Sequence, residues 1–177
     1  TASQAEVDRI CEAMAEAAYA ESERLAKLAN EETGFGVVAH KTIKNQFASR
    51  GVWNSIKDIA TVGVLKRDEV HKVIEIAWPF GVIAALVPST NPTSTTIFKA
   101  LAAVKARNGI IFSPHPSARK STCEAARVLI EAGERAGMPK GLIACLTKLT
   151  LAGTQELMGH WATSLILATG GPGMVKA

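Results

Sequence analysis

The chain reads as an α/β fold: a parallel sheet with helices on both faces, preceded by N-terminal helices and an edge or projecting strand. Two observations predict it. Four short apolar runs, 81–87, 109–112, 141–146 and 164–168, each open beside a small residue, and their starts lie about 23 to 32 residues apart, room for a helix in every gap. The runs are apolar at nearly every position rather than at every second one, which is the mark of strands covered on both faces.

The elements follow in order. Residues 2–29 place Val7, Ile10, Cys11, Met14, Ala17, Ala18, Leu25 and Leu28 near a three-and-four repeat with charges between them, one amphipathic helix. Gly34 and Gly36 stop it, and a second helical stretch over 39–59 has Ile43, Phe47, Trp53 and Ile56 as its inward face. Ile74, Ile76 and Trp78 alternate with Glu75 and Ala77 before Pro79, the period of a strand with one face toward solvent. Between the apolar runs, 94–105 carries Ile97, Phe98, Leu101 and Val104 on one side, and 121–136 carries Cys123, Ala126, Leu129, Ile130 and Gly133. Gly137 and Pro139 close the second of these helices. The organisation is one partial domain over 1–177: helices in 1–62, edge strands in 63–80 and parallel βα units in 81–177.

Composition narrows the class. With 177 residues, 47% hydrophobic and 20% charged, the chain supports one core and is not a disordered segment. No apolar stretch reaches the roughly 18 residues of a membrane span, and the first thirty residues are not a signal sequence, so a soluble cytoplasmic protein with no membrane partner is expected. The formal charge of +4 is scattered, which suits an anionic small ligand as well as a polyanion. Cys11, Cys123 and Cys145 are too few and too far apart for a disulfide framework or a zinc site. His40, His71 and His160 read as surface or interface residues, Met14 and Met138 as packing, and 105–107 as a solvated helix end.

Ligands of an open parallel sheet collect beyond the carboxyl ends of its strands, so the loops after the runs matter most. The first loop is 88–96, with Pro88, Ser89, Thr90, Asn91 and Pro92 leading it, the second 113–117, with Ser113, Pro114, His115 and Pro116, and the fourth Thr169, Gly170, Gly171, Pro172, Gly173, entering a helix at 174–176. Each has two readings. The glycine loop lets backbone N–H groups approach a pyrophosphate, or is a plain tight turn. Asn91, held extended by Pro92, is an oxyanion donor or a helix cap. His115 meets a ribose or adenine, or faces solvent. Cys145, Cys123 and Cys11 are small buried hydrophobes rather than nucleophiles.

Three segments in this order and spacing, 88–95, 111–116 and 168–175, resemble the CoA-acylating aldehyde dehydrogenases, with the Ser-Pro-His-Pro element pointing to the acylating branch rather than to its hydrolytic relatives. The resemblance runs from about Gly34 to the last residue. It implies the Rossmann-like dinucleotide-binding domain of that fold, with 72–78 as a piece of an oligomerisation hairpin and a homo-oligomer as the assembly. It implies that Asn91 donates its side-chain amide to an oxyanion. Pro88, Ser89 and Thr90 would belong to the cofactor site, Ser113, His115 and Pro116 would lie along the adenosine, and Thr169, Gly170 and Gly171 would face the pyrophosphate or nicotinamide end. The family's cofactor is NAD, with NADP open, and its substrates are a small aldehyde and coenzyme A; no nucleic acid is implied. A cysteine attacks the aldehyde, the adduct gives up hydride, and the thioester passes to CoA. That cysteine matches none of the three here, so these residues alone are expected to be inactive. Some relatives with this resemblance work inside bacterial microcompartments, so that location stands beside the cytoplasm. The alternative is a non-catalytic dinucleotide or CoA binding module acting through a partner. A phosphate-releasing semialdehyde dehydrogenase is a weaker third reading, and no residue here fixes which aldehyde is used.

Overall fold

The computed structural model describes residues 2–171. The helix expected at 174–176, with Pro172 and Gly173, lies outside them.

The expected single N-terminal helix is two. The first, α1 (Gln4–Ala20), begins with a reciprocal cap in which Ser3 Oγ accepts from the Glu6 amide while the Glu6 carboxylate accepts from the Ser3 amide at 2.7 Å. The chain leaves helical geometry at Glu21, and α2 (Ser22–Thr33) starts afresh. What holds the break is buried: Ser22 Oγ donates to the Ala18 carbonyl, and Asn45 Nδ2 donates to the Ser22 carbonyl at 2.9 Å. Gly34, in the left-handed region at φ 70°, ends α2 as a residue without Cβ can.

The stretch expected as one helix over 39–59 is α3 (Val38–Gln46), a π-helical turn (Phe47–Gly51) and α4 (Val52–Ile56). Its inward face also differs from expectation. Trp53 is buried and Ile56 half-buried, but Ile43 and Phe47 are 62% and 70% exposed. Lys41, Asn45 and Ser49, spaced one turn apart, point inward instead. A polar stripe satisfies itself there through hydrogen bonds, and a hydrophobicity pattern does not detect it.

Strands β1 (Gly63–Asp68) and β2 (Val73–Ala77) form a separate antiparallel ribbon whose side chains are mostly exposed, including Val73, Ile74 and Ile76. The main sheet consists of β3 (Val82–Val87), β4 (Gly109–Pro114), β5 (Ile143–Cys145) and β6 (Thr163–Ala168), all parallel, in the order β5-β4-β3-β6. Helices α5 (Pro92–Lys105), α6 (Arg119–Arg135) and α7 (Leu151–Gly159) make the three crossovers. One face of β3 and β4, through Ile83, Ala85, Val87, Ile110 and Phe112, shares a core with Ile97, Leu101 and Leu129 of α5 and α6 and with Ile10 and Met14 of α1. On the other face Ser113 Oγ meets Thr154 Oγ1 of α7 at 2.8 Å. The expectation of strands covered on both faces holds for β3; β6 leaves Leu165 and Ile166 partly open.

The helix end at 105–107 is not solvated as expected. Lys105 is buried, its Nζ donating to an Asp8 carboxylate oxygen and to the Lys57 carbonyl, while Arg107 donates to the Thr61 and Ala77 carbonyls. The pair of cations ties α5 to α1 and to the base of the ribbon. Among the described residues no helix is long and apolar enough to cross a membrane.

Candidate functional site

The chain runs outward from β3 to β4 to β5, then returns to set β6 on the opposite side of β3. Leu86 of β3 stands beside Ala168 of β6, so the loops after these two strands begin side by side at the carboxyl end of the sheet. The strand order reverses at this place, and in doubly wound sheets ligands bind at such a point. Pro88, Ser89, Thr90, Asn91, Thr95, His115, Thr169, Gly170 and Gly171 line a cleft of about 450 Å³ at that place. A second cavity of about 250 Å³ adjoins it, lined by Ser113, Pro114, Pro116, Leu149, Leu151 and Thr154 among others, with His115 shared between the two. Every site residue expected from the sequence therefore lines one of two abutting cavities.

Asn91 is the residue before α5, but its side chain caps nothing in that helix. Its Oδ1 accepts from Lys44 Nζ at 3.0 Å. An ammonium can only donate, so the atom it faces is the amide oxygen and the NH₂ end is left for other partners. The loop itself is held from below: Lys41 Nζ donates to the Thr90 carbonyl at 2.7 Å. Burial, with Lys44 second, holds the Lys41 ammonium below its ordinary value.

His115 is exposed and its ring is oriented locally. Its main-chain N–H donates to the Val87 carbonyl, and Nδ1 accepts from the Ser117 amide at 3.2 Å. Nδ1 is thereby the unprotonated nitrogen of the neutral ring, and Nε2 carries the proton that a ligand can accept. Ser113, by contrast, is buried and engaged with Thr154, so it shapes the smaller cavity more than it presents a free hydroxyl. At Gly171 a Cβ would meet nothing within 4 Å, so the loop after β6 has open space in front of its backbone.

Sequence reasoning missed Lys99, Lys41 and Lys44. Lys99 of α5 is fully buried and its Nζ donates to the Leu86 carbonyl at 2.8 Å and the Leu167 carbonyl at 2.6 Å, bridging β3 and β6 directly under the crevice. Burial lowers its pKa from 10.5 to about 8. The signal was present: Lys99 continues the inward stripe of Thr95, Thr96 and Ala103 on α5, where a lysine has no reason to be without a partner.

None of the three cysteines lines the cleft. Cys11 is buried on the inward face of α1, and burial pushes its thiol up to about 12. Cys145 Sγ lies 2.8 Å from Cys123 Sγ, and burial, then that neighbour, raises its pKa as well. High thiol pKa values suit packing rather than attack on a carbonyl.

The full length, residues 1–177, matches the aldehyde dehydrogenase family. The chain belongs to that family. It is 49% identical over 174 residues to the bifunctional aldehyde-alcohol dehydrogenase AdhE of Escherichia coli (strain K12), covering 98% of this chain and 20% of that protein. Among solved structures, an acetylating aldehyde dehydrogenase from Geobacillus thermoglucosidasius is 62% identical with a TM-score of 0.97, over 99% of this chain and 39% of that one. A propionaldehyde dehydrogenase from Rhodopseudomonas palustris with bound propionyl-CoA is 30% identical with a TM-score of 0.85, over 99% of this chain and 38% of the other. The chain thus spans about a fifth of that curated relative and about two fifths of those solved structures.

Proposed function

We propose that these residues are the nucleotide-binding part of a CoA-acylating aldehyde dehydrogenase, interconverting a small aldehyde plus CoA with an acyl-CoA and using NAD, with NADP admissible. The observation that carries the reading is the switch-point cleft, where Asn91, His115 and the 169–171 loop face one volume. The acylating chemistry is supported by the names of two solved relatives, one an acetylating aldehyde dehydrogenase and one a propionaldehyde dehydrogenase with bound propionyl-CoA.

The cleft suits a dinucleotide. Its walls are small polar residues and open glycine backbone, and the adjoining cavity, walled by Leu86, Leu149 and Leu151, is apolar enough for an adenine. Among the described residues no carboxylate lines either cavity, so nothing there repels a phosphate on the ribose, whether that of NADP or that of CoA. When bound, the nicotinamide supplies the hydride acceptor. The 169–171 backbone and Thr90 bound its path, His115 Nε2–H offers a donor where the two cavities meet, and Asn91 Nδ2 donates to the aldehyde oxygen as negative charge grows on it. The sulfur that attacks the aldehyde comes from outside these residues in this reading. The β1–β2 ribbon, too short and too apolar to stand alone, would pair with a second copy of the enzyme.

The test is CoA-dependent turnover. The full-length protein carrying this chain, given acetaldehyde, NAD and CoA, should form NADH and acetyl-CoA in equal amounts, while residues 1–177 alone form neither. NADH formation with free acetate and no thioester would contradict the acylating assignment.

A further inference from the structure

We propose that Lys44 is the positioning residue of the reaction: it holds and polarises the Asn91 carboxamide so that the amide hydrogens meet the developing oxyanion. The inference rests on the reading of Asn91 as the oxyanion donor and deepens it.

An asparagine in a loop can turn its carboxamide either way about χ2, and offers oxygen as readily as nitrogen to a cleft. Oxygen aimed at an oxyanion would repel it. Something must choose, and a helix cap is the usual local means, but here no α5 amide donates to the Asn91 side chain. The only side-chain hydrogen bond of Asn91 among the described residues comes from Lys44 Nζ, 3.0 Å from Oδ1. A cation on Oδ1 excludes the flipped amide, because that would set NH₂ against NH₃⁺. It also draws electron density from the amide and makes Nδ2–H a stronger donor, as hydrogen bonds in series do.

The lysine is itself placed. Asn45, the next residue along α3, is fully buried, donating to the Ser22 carbonyl and accepting from Thr93 Oγ1 at 2.8 Å. Thr93 is two residues beyond Asn91, so the same bond that fixes α3 fixes the start of α5. Lys41, one turn earlier on α3, anchors the Thr90 carbonyl. A cavity of about 330 Å³ lined by His40, Lys41, Lys44, Thr90 and Asn91 opens beside the cleft and shares Thr90 and Asn91 with it. Two lysines of one helix thus grip two successive residues of the loop after β3, one through main chain and one through side chain.

A double-mutant cycle in the full-length enzyme tests this, with kcat and KM measured for aldehyde, NAD and CoA and thermal melting recorded for each variant. Asn91→Ala is expected to lower kcat about a hundredfold, the scale of one oxyanion donor. Lys44→Met is expected to lower kcat roughly tenfold with KM for NAD and CoA within twofold of wild type, and Lys44→Arg, which keeps the charged donor, to restore most of it. Added to Asn91→Ala, Lys44→Met should lower kcat no further. If Lys44→Met leaves kcat unchanged while Asn91→Ala lowers it, the positioning role is overturned and the Asn91 reading stands. A full tenfold loss persisting in the Asn91→Ala background also overturns it, since Lys44 would then act by another route. An Asn91→Ala enzyme with undiminished kcat removes the amide from the reaction and this inference with it.

Discussion

Lys99 is the residue whose environment departs furthest from its chemistry. A fully buried ammonium held only by main-chain carbonyls keeps its hydrogen bonds but loses hydration, and its pKa near 8 records that loss. The folded state therefore binds the proton less tightly than the unfolded chain, where a lysine titrates near 10.5. The burial penalty is present in full below pH 8 and is relieved as pH rises toward 10.5, a gain of up to about 3 kcal/mol. Relative to Lys99→Met, the wild-type protein should become more stable between pH 8 and 10.5 in urea unfolding; a constant difference across that window would show that Lys99 titrates normally. Lys99 was legible only in part. Its place on the inward stripe of α5 was in the sequence, but its acceptors lie on β3 and β6, and Leu167 is 68 residues away. No local pattern carries a contact of that range.

At the scale of elements, the parallel strands were readable because burial leaves continuous apolar runs, and α5 and α6 because their apolar stripes face one core. The N-terminal helices were less so. Hydrophobic period saw one helix where Ser22 and Asn45 make two, and it assigned Ile43 and Phe47 inward where Lys41, Asn45 and Ser49 are. Satisfied buried polar groups are invisible to a hydrophobic pattern, yet they set which way α3 faces and hence where Lys41 and Lys44 reach. Removing the centre of that network should be expensive. Asn45→Ala leaves the Ser22 carbonyl and the Thr93 hydroxyl without their partner and should lose about 2–3 kcal/mol in denaturant unfolding. The neighbouring substitution Gln46→Ala, at a half-buried residue whose side chain makes no hydrogen bond among the described residues, should change stability by less than about 0.5 kcal/mol. Equal effects at the two positions would mean that the network does not bear on the packing of α3.

Across the whole molecule, two surfaces stand out. The ribbon leaves Val73, Ile74 and Ile76 exposed, a combination that a two-stranded sheet in water does not support alone. In the full-length enzyme, Ile74→Asp combined with Ile76→Asp should lower the assembly mass in analytical ultracentrifugation. An unaltered mass would place the subunit contact elsewhere. The other surface is the crevice between β3 and β6, and its place was legible: three loop motifs distant in sequence were expected around one ligand because ligands of an open parallel sheet collect beyond the carboxyl ends of its strands. What the sequence did not carry was the floor of the crevice, the lysines that brace it from α3 and α5.

That the crevice receives the nicotinamide dinucleotide is the claim on which the rest depends. At Gly171, which lines the cleft, an added Cβ meets no atom within 4 Å among the described residues, so a larger side chain there is expected to narrow the space offered to the ligand. Calorimetric titration of NAD into the full-length enzyme and its Gly171→Val variant, with matched thermal melting, tests it most directly. The predicted result is an affinity at least about tenfold weaker in the variant at unchanged melting temperature, the effect of losing roughly 1.4 kcal/mol of contact. NAD bound equally well by both proteins would contradict the placement of the dinucleotide.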